Sequence, residues 1–189
     1  MKKISAVSVL AVSILISASA LAAGWEMDKA HSDVSFVVKH LMVTNVRGEF
    51  RDFKVDLKAD EKDVMKSTVE ASIDVSSIDT REPKRDGHLK SPDFFDAAKF
   101  PTITFKSKSI AKTKDGTYKL KGDLTLHGVT KEVVLDMEHA GVTATGTLNR
   151  MDYGVSWNKA LDNGGVLVGN DVKILIELEF MKKPEAAAK

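Results

Sequence analysis

Cysteine is absent from all 189 residues, so the chain has no disulfide framework, no thiol nucleophile and no N-terminal cysteine on which a lipid anchor could be built. It also lacks a strong excess of either charge: 28 Lys and Arg face 27 Asp and Glu. Nucleic-acid binders normally carry a marked basic surplus, so that class of partner is not expected. Catalytic signatures are missing as well. There is no Gly-x-Ser-x-Gly elbow and no His-Glu-x-x-His, and the glycines of Gly164-Gly165 and Gly169 are not followed by the Gly-Lys-Ser/Thr of a phosphate loop. Five histidines are present, but none are spaced i,i+2 or i,i+4, and Asp86-x-His88 is the nearest approach to a local chelate; no metal site is expected.

Only one long apolar run exists, and it lies at the start. Lys2 and Lys3 precede Ile4 to Ile16, broken only by Ser5, Ser8 and Ser13, and Ala20-Leu21-Ala22 follows. A basic start, a short apolar stretch and a small-residue site describe a secretory signal peptide, and the run is shorter than the ~20 residues that span a bilayer. Residues 1–22 are therefore expected to be removed, leaving a periplasmic or secreted protein. Their removal takes two of the 28 basic residues and none of the 27 acidic ones, leaving 167 residues with a formal charge of −1. That length suits one domain over 23–181, with a frayed tail at 182–189.

What fills the domain is alternation. Val34, Phe36, Val38 and His40 share one face of a first strand, and Phe53, Val55 and Leu57 repeat the pattern out of phase with Phe50, which predicts a bulge or bend at Arg51-Asp52. Further strands are expected around Val69–Val75, Ile103–Phe105, Tyr118–Leu126, Val133–Met137, Val142–Leu148, Tyr153–Trp157 and, most regularly, Val172–Phe180. His127 to Lys131 suits a hairpin loop. About eight short antiparallel strands define an all-β domain, either a sandwich or a barrel. Two segments depart from the period: Asp60–Lys66, read as a helical turn, and Arg81–Ala98, read as a helical excursion in which Ser91 caps a helix opened by Pro92. Phe94 and Phe95 make that excursion apolar enough to cover one end of a barrel.

Several motifs occur together in a fixed order: Asp28-x-x-His31-Ser32, Val34-x-Phe36, Gly48-x-Phe50, Ile78-Asp79-Thr80, Arg85-Asp86-x-His88-Leu89-x-Ser91-x-Asp93-Phe94, Phe100-Pro101-x-Ile103-x-Phe105 and Gly122 through Lys131. In these the chain resembles the YceI family throughout the domain, departing from its usual pattern at Glu132 and Tyr153. The resemblance implies an extended lipocalin-like antiparallel barrel in the bacterial periplasm. It further implies an elongated pocket for polyisoprenoid or similar long amphipathic lipids, and a homodimer.

The candidate site follows from both readings. Phe36, Val38, Phe50, Phe53, Ile73, Phe94, Phe105, Leu124, Leu126, Ile174 and Ile176 are candidates for the pocket wall, although strand faces look alike whether they line a cavity or fill it. His40 is in phase with that wall. Arg85 and His88 are candidates for holding a phosphate-like head group. The expected ligand is a long-chain lipid, such as a prenyl phosphate, isoprenoid quinone, fatty acid or amide, with no other cofactor. Two alternatives belong to other classes: an enzyme or stress-response factor acting through Arg85, Asp86 and His88, and an outer-membrane barrel. Charged Lys39, Lys54, Lys106, Lys108, Lys119 and Lys121 argue against the latter's lipid-facing exterior.

Overall fold

A computed structural model describes residues 24–138, 143–161 and 165–182. The expected signal peptide lies outside the described residues, as does the expected tail beyond Lys182. Ten strands form one antiparallel sheet: β1 Trp25–His40, β2 Thr44–Phe50, β3 Phe53–Lys58, β4 Thr68–Asp74, β5 Ile78–Asp79, β6 Thr102–Lys112, β7 Tyr118–Leu126, β8 Val129–Glu138, β9 Thr143–Asn149 and β10 Val168–Lys182. They are ordered β3-β4-β6-β7-β8-β9-β10-β1-β2-β5, and the sheet curls far enough that β1 contacts β3. The all-β lipocalin-like barrel is thus observed, with ten strands rather than eight.

The break at Arg51-Asp52 makes the curl. β2 pairs with β1 on one side of it, whereas β3 pairs with β4 at the far edge of the strand order, so a two-residue bend carries the chain between the sheet's two ends. Asp52 and Ser77 hold this corner, with Asp74 N–H donating to Asp52 O at 2.9 Å and Arg51 N–H to Ser77 O at 3.2 Å. β7 and β8 meet through His127 and Gly128, both at positive φ (51° and 75°), the conformation of a two-residue hairpin turn. The turn is therefore shorter than expected, and Val129, Thr130 and Lys131 already belong to β8.

Three other expectations need correction. β1 begins nine residues before Val34, because a register shift between Asp28 and Asp33 lets a polar stretch with no clear alternation stay paired with β10. The helix, α1, is Pro83–Lys90: Glu82 caps it by accepting from Lys84 N–H and Arg85 N–H, while Ser91 closes it. Pro83 sits in the first helical turn, whereas Pro92 lies in the turn that follows the helix. Finally, Tyr153–Trp157 is not a strand. A 3-10 turn over Arg150–Tyr153 ends at Gly154 (φ 74°), and the chain then crosses the barrel end. The Asp60–Lys66 turn is present in part, as a 3-10 turn at Val64–Lys66.

Lysines on the outer faces pair with acids on neighbouring strands, as Lys106 does with Glu70 (2.9 Å) and Lys108 with Asp123 (2.6 Å). No helix among the described residues is long and apolar enough to cross a membrane.

Candidate functional site

Inside the barrel is an apolar cavity of about 780 Å³, within the size range of sites that hold a small organic ligand. β10 runs its whole length, contributing wall residues from Val168 to Lys182, a contour of roughly 45 Å at the usual strand rise. At one end the wall is polar and open: Asp60, Glu61 and Lys182 line it, and Lys182 Nζ pairs with Glu61 Oε1 at 2.6 Å with both side chains about half exposed. The opposite end is closed. There Phe95 packs edge-on against Phe50 (6.0 Å between centroids), and Phe94 packs against Trp157 (5.2 Å) on the segment that crosses the barrel. The Phe94-Phe95 excursion does cover one end, as its apolar character suggests.

The wall contains every apolar position proposed from the sequence. Phe36 and Val38 come from β1, Phe50 from β2, Phe53 from β3 and Ile73 from β4; Phe105 comes from β6, Leu124 and Leu126 from β7, Ile174 and Ile176 from β10, and Phe94 from the segment after α1. The three polar candidates do not reach it. His40 ends β1 beside Thr44 and Val168 without lining the cavity.

Arg85 and His88 instead build the surface around α1. Arg85 Nε donates to Thr80 Oγ1 (2.7 Å) and Arg85 Nη2 to Thr80 O (2.8 Å), while Asp86 Oδ1 accepts from both Thr80 N–H (2.9 Å) and Thr80 Oγ1 (2.5 Å). Thr80 is 5% exposed, so these two charged residues satisfy a buried threonine that joins β5 to α1. His88 Nε2 meets Asp93 Oδ2 at 2.8 Å, and its ring stands edge-on to Phe94 and Trp157. The constellation fixes the cap over the closed end, and none of its three members lines the cavity.

One charged wall residue was not singled out from the sequence. Arg150 is 5% exposed and lines the closed end beside Leu148, Val155, Val168 and Val172. Its Nε donates to Gly169 O (2.9 Å), Nη1 to Val155 O (2.6 Å) and Trp157 O (3.0 Å), and Nη2 to Val168 O (3.2 Å). No carboxylate among the described residues pairs with it, and burial alone pulls its guanidinium below the ordinary arginine range.

Away from the cavity, the register shift in β1 gathers Asp28, His31 and Glu179, whose ligand atoms lie within 4.8 Å of one another. His31 Nδ1 and Asp28 Oδ2 are 2.8 Å apart; that contact raises the imidazole pKa and lowers that of the carboxylate.

An antiparallel barrel closed at one end around an apolar cavity defines a lipocalin-like architecture. The chain matches the YceI-like domain over residues 25–180 and belongs to the YceI family. A UPF0312 protein of Staphylococcus aureus strain N315 is 42% identical over 166 residues, covering 81% of this chain and 94% of that one. Among solved structures, Burkholderia cenocepacia BcnA is similar with a TM-score of 0.71 at 26% identity, over 81% of this chain and 98% of that one. The Campylobacter jejuni YCEI protein gives 0.64 at 31% identity, over 85% and 98%. A polyisoprenoid binding domain from Saccharophagus degradans shares the fold at a TM-score of 0.59 and 17% identity, over 85% and 99%.

Proposed function

We propose that this protein is a binding protein, not an enzyme, and that it carries one long-chain amphipathic lipid with its tail inside the barrel. Isoprenoid lipids such as a prenyl phosphate or an isoprenoid quinone lead the cargo classes. The protein acts in the periplasm or outside the cell after loss of residues 1–22, storing or transporting the cargo, and pairs as a homodimer. The observation that carries the reading is the cavity: about 780 Å³, long, and walled almost entirely by aliphatic and aromatic side chains. Burying about ten methylenes there yields about 8 kcal/mol before the cost of immobilising the ligand, and a longer chain adds to that gain. The fold shared with a polyisoprenoid binding domain accords with that cargo.

The test is native mass spectrometry of the mature protein purified from its own host, followed by organic extraction and identification of what is bound. A stoichiometric lipid is expected, and Ala71→Trp, which adds an indole to the cavity wall, removes it from a protein that stays folded. A ligand-free protein that also ignores added prenyl phosphates, quinones and fatty acids overturns the proposal. The same mass spectrum reads the oligomeric state.

A further inference from the structure

A guanidinium has five N–H donors, and the four bonds to backbone oxygens leave Arg150 with one N–H unspent and a full positive charge on the wall of an apolar cavity. Such a charge is costly to bury unless something neutralises it, and no described carboxylate does so. Nearby Asp152 is directed outward, where its Oδ1 lies 3.5 Å from Lys131 Nζ. At the open end the charges are mixed and solvent-exposed: Asp60 and Glu61 line the wall, Lys182 is half exposed and paired with Glu61, and Lys62 and Lys66 bring positive charge close to Asp60. A negatively charged ligand atom therefore meets mixed, solvent-screened charges at the mouth and, at the closed end, a buried cation that no described carboxylate pairs with.

We infer that Arg150 is the head-group residue of the cavity, and that the ligand it selects is a long-chain lipid with an anionic oxygen head, a carboxylate or a phosphate, lying at the closed end with its tail along β10 toward Lys182. This rests on the carrier reading and refines it: a neutral quinone or alcohol fills the same wall but leaves the buried cation unanswered. The arginine is preorganised for the role. Its planar fork is fixed by Val155, Trp157, Val168 and Gly169, so little side-chain freedom is lost when an anion docks. Arg85 and His88 are bonded to Thr80 and Asp93 instead and do not line the cavity.

The experiment compares matched ligands on delipidated wild-type protein: geranylgeranyl phosphate against geranylgeraniol, and hexadecanoate against hexadecanol, by calorimetry at low salt and in 1 M NaCl. Each anion is expected to bind at least tenfold more tightly than its alcohol, and the preference persists in high salt because a buried pair is weakly screened. The phosphate pair and the carboxylate pair distinguish the two kinds of head. Alcohols binding as tightly as their anions overturn the inference and leave the carrier reading intact. A preference that vanishes in 1 M NaCl also overturns it, by assigning the anion to surface lysines. Binding of none of the four overturns both. Arg150→Gln, in whatever fraction folds, is expected to lose the preference while retaining the alcohols; because the guanidinium also holds four carbonyls, the wild-type comparison stands as the deciding measurement should that variant not fold.

Discussion

The ring of Phe36 on β1 lies over Gly48, its direct partner on β2, so closely that a β-carbon on the glycine would stand 2.7 Å from the ring's Cε1. Phe105 does the same on the other side of the barrel, where a β-carbon on Gly122 would stand 2.6 Å from its Cε2. At both places the aromatic side chain takes the room that a neighbouring side chain would fill, a pairing that stabilises glycine-bearing strands and lets a sheet bend. Gly48→Ala is expected to destabilise the protein by about 1–3 kcal/mol through overpacking. It also pushes the Phe36 ring into the cavity, weakening long-chain ligands more than short ones. Urea denaturation and a chain-length series check this; unchanged stability would show that the ring has room to move.

Asp86 is expected to matter for stability and not for ligand choice. Asp86→Ala leaves the N–H of Thr80 without its acceptor in a buried position, at a cost of about 1–3 kcal/mol. Denaturation should show the loss, while the relative affinities for anionic and neutral lipids stay as in wild type. A changed preference with normal stability would return the Arg85-Asp86-His88 group to the ligand site.

The pair of His31 and Asp28 predicts a stability window in pH. The histidine's folded pKa is raised above 6.5, chiefly by its bond to Asp28, so its contribution is complete below that value and fades as pH rises through the folded pKa. Asp28 is lowered below 3.8, chiefly by the same bond, so its contribution is present above 3.8 and fades as pH falls through the lower folded value. The difference in Tm between wild type and His31→Gln should peak between these limits, from roughly pH 4 to 6.5, and shrink on the alkaline side. A difference that stays flat from pH 4 to 9 refutes the pairing in solution.

Period-two alternation made the cavity wall legible because inward-facing positions are apolar on nearly every strand, and the phase slip between Phe50 and Phe53 located the corner that sends β3 to the far edge. Short or locally irregular elements were not legible. β5 is two residues long, too short for any period, and six of β1's first nine residues are polar in a stretch that passes through a register shift. The expected helix opens at Pro92 behind Ser91, but the observed one opens at Pro83 behind Glu82, and a glutamate is a weaker cap signal than serine. Arg150 was hidden for a different reason. The only local sign is Asn149 accepting from Met151 N–H and Gly154 ending the turn at positive φ. What buries the guanidinium comes from Val155, Trp157, Val168 and Gly169, brought together by the return of β10 and not by spacing.

A barrel that keeps about 780 Å³ of its interior free of side chains gives up contacts that a filled core would have made. Cargo that binds only the folded form restores them, adding about 2.7 kcal/mol at a ligand concentration one hundred times Kd. Where opening is fast compared with cleavage, proteases sample the unfolded fraction, so loaded molecules outlast empty ones by a corresponding factor of about one hundred. Abundance of the protein would then track the supply of its lipid through survival alone, without any change in synthesis.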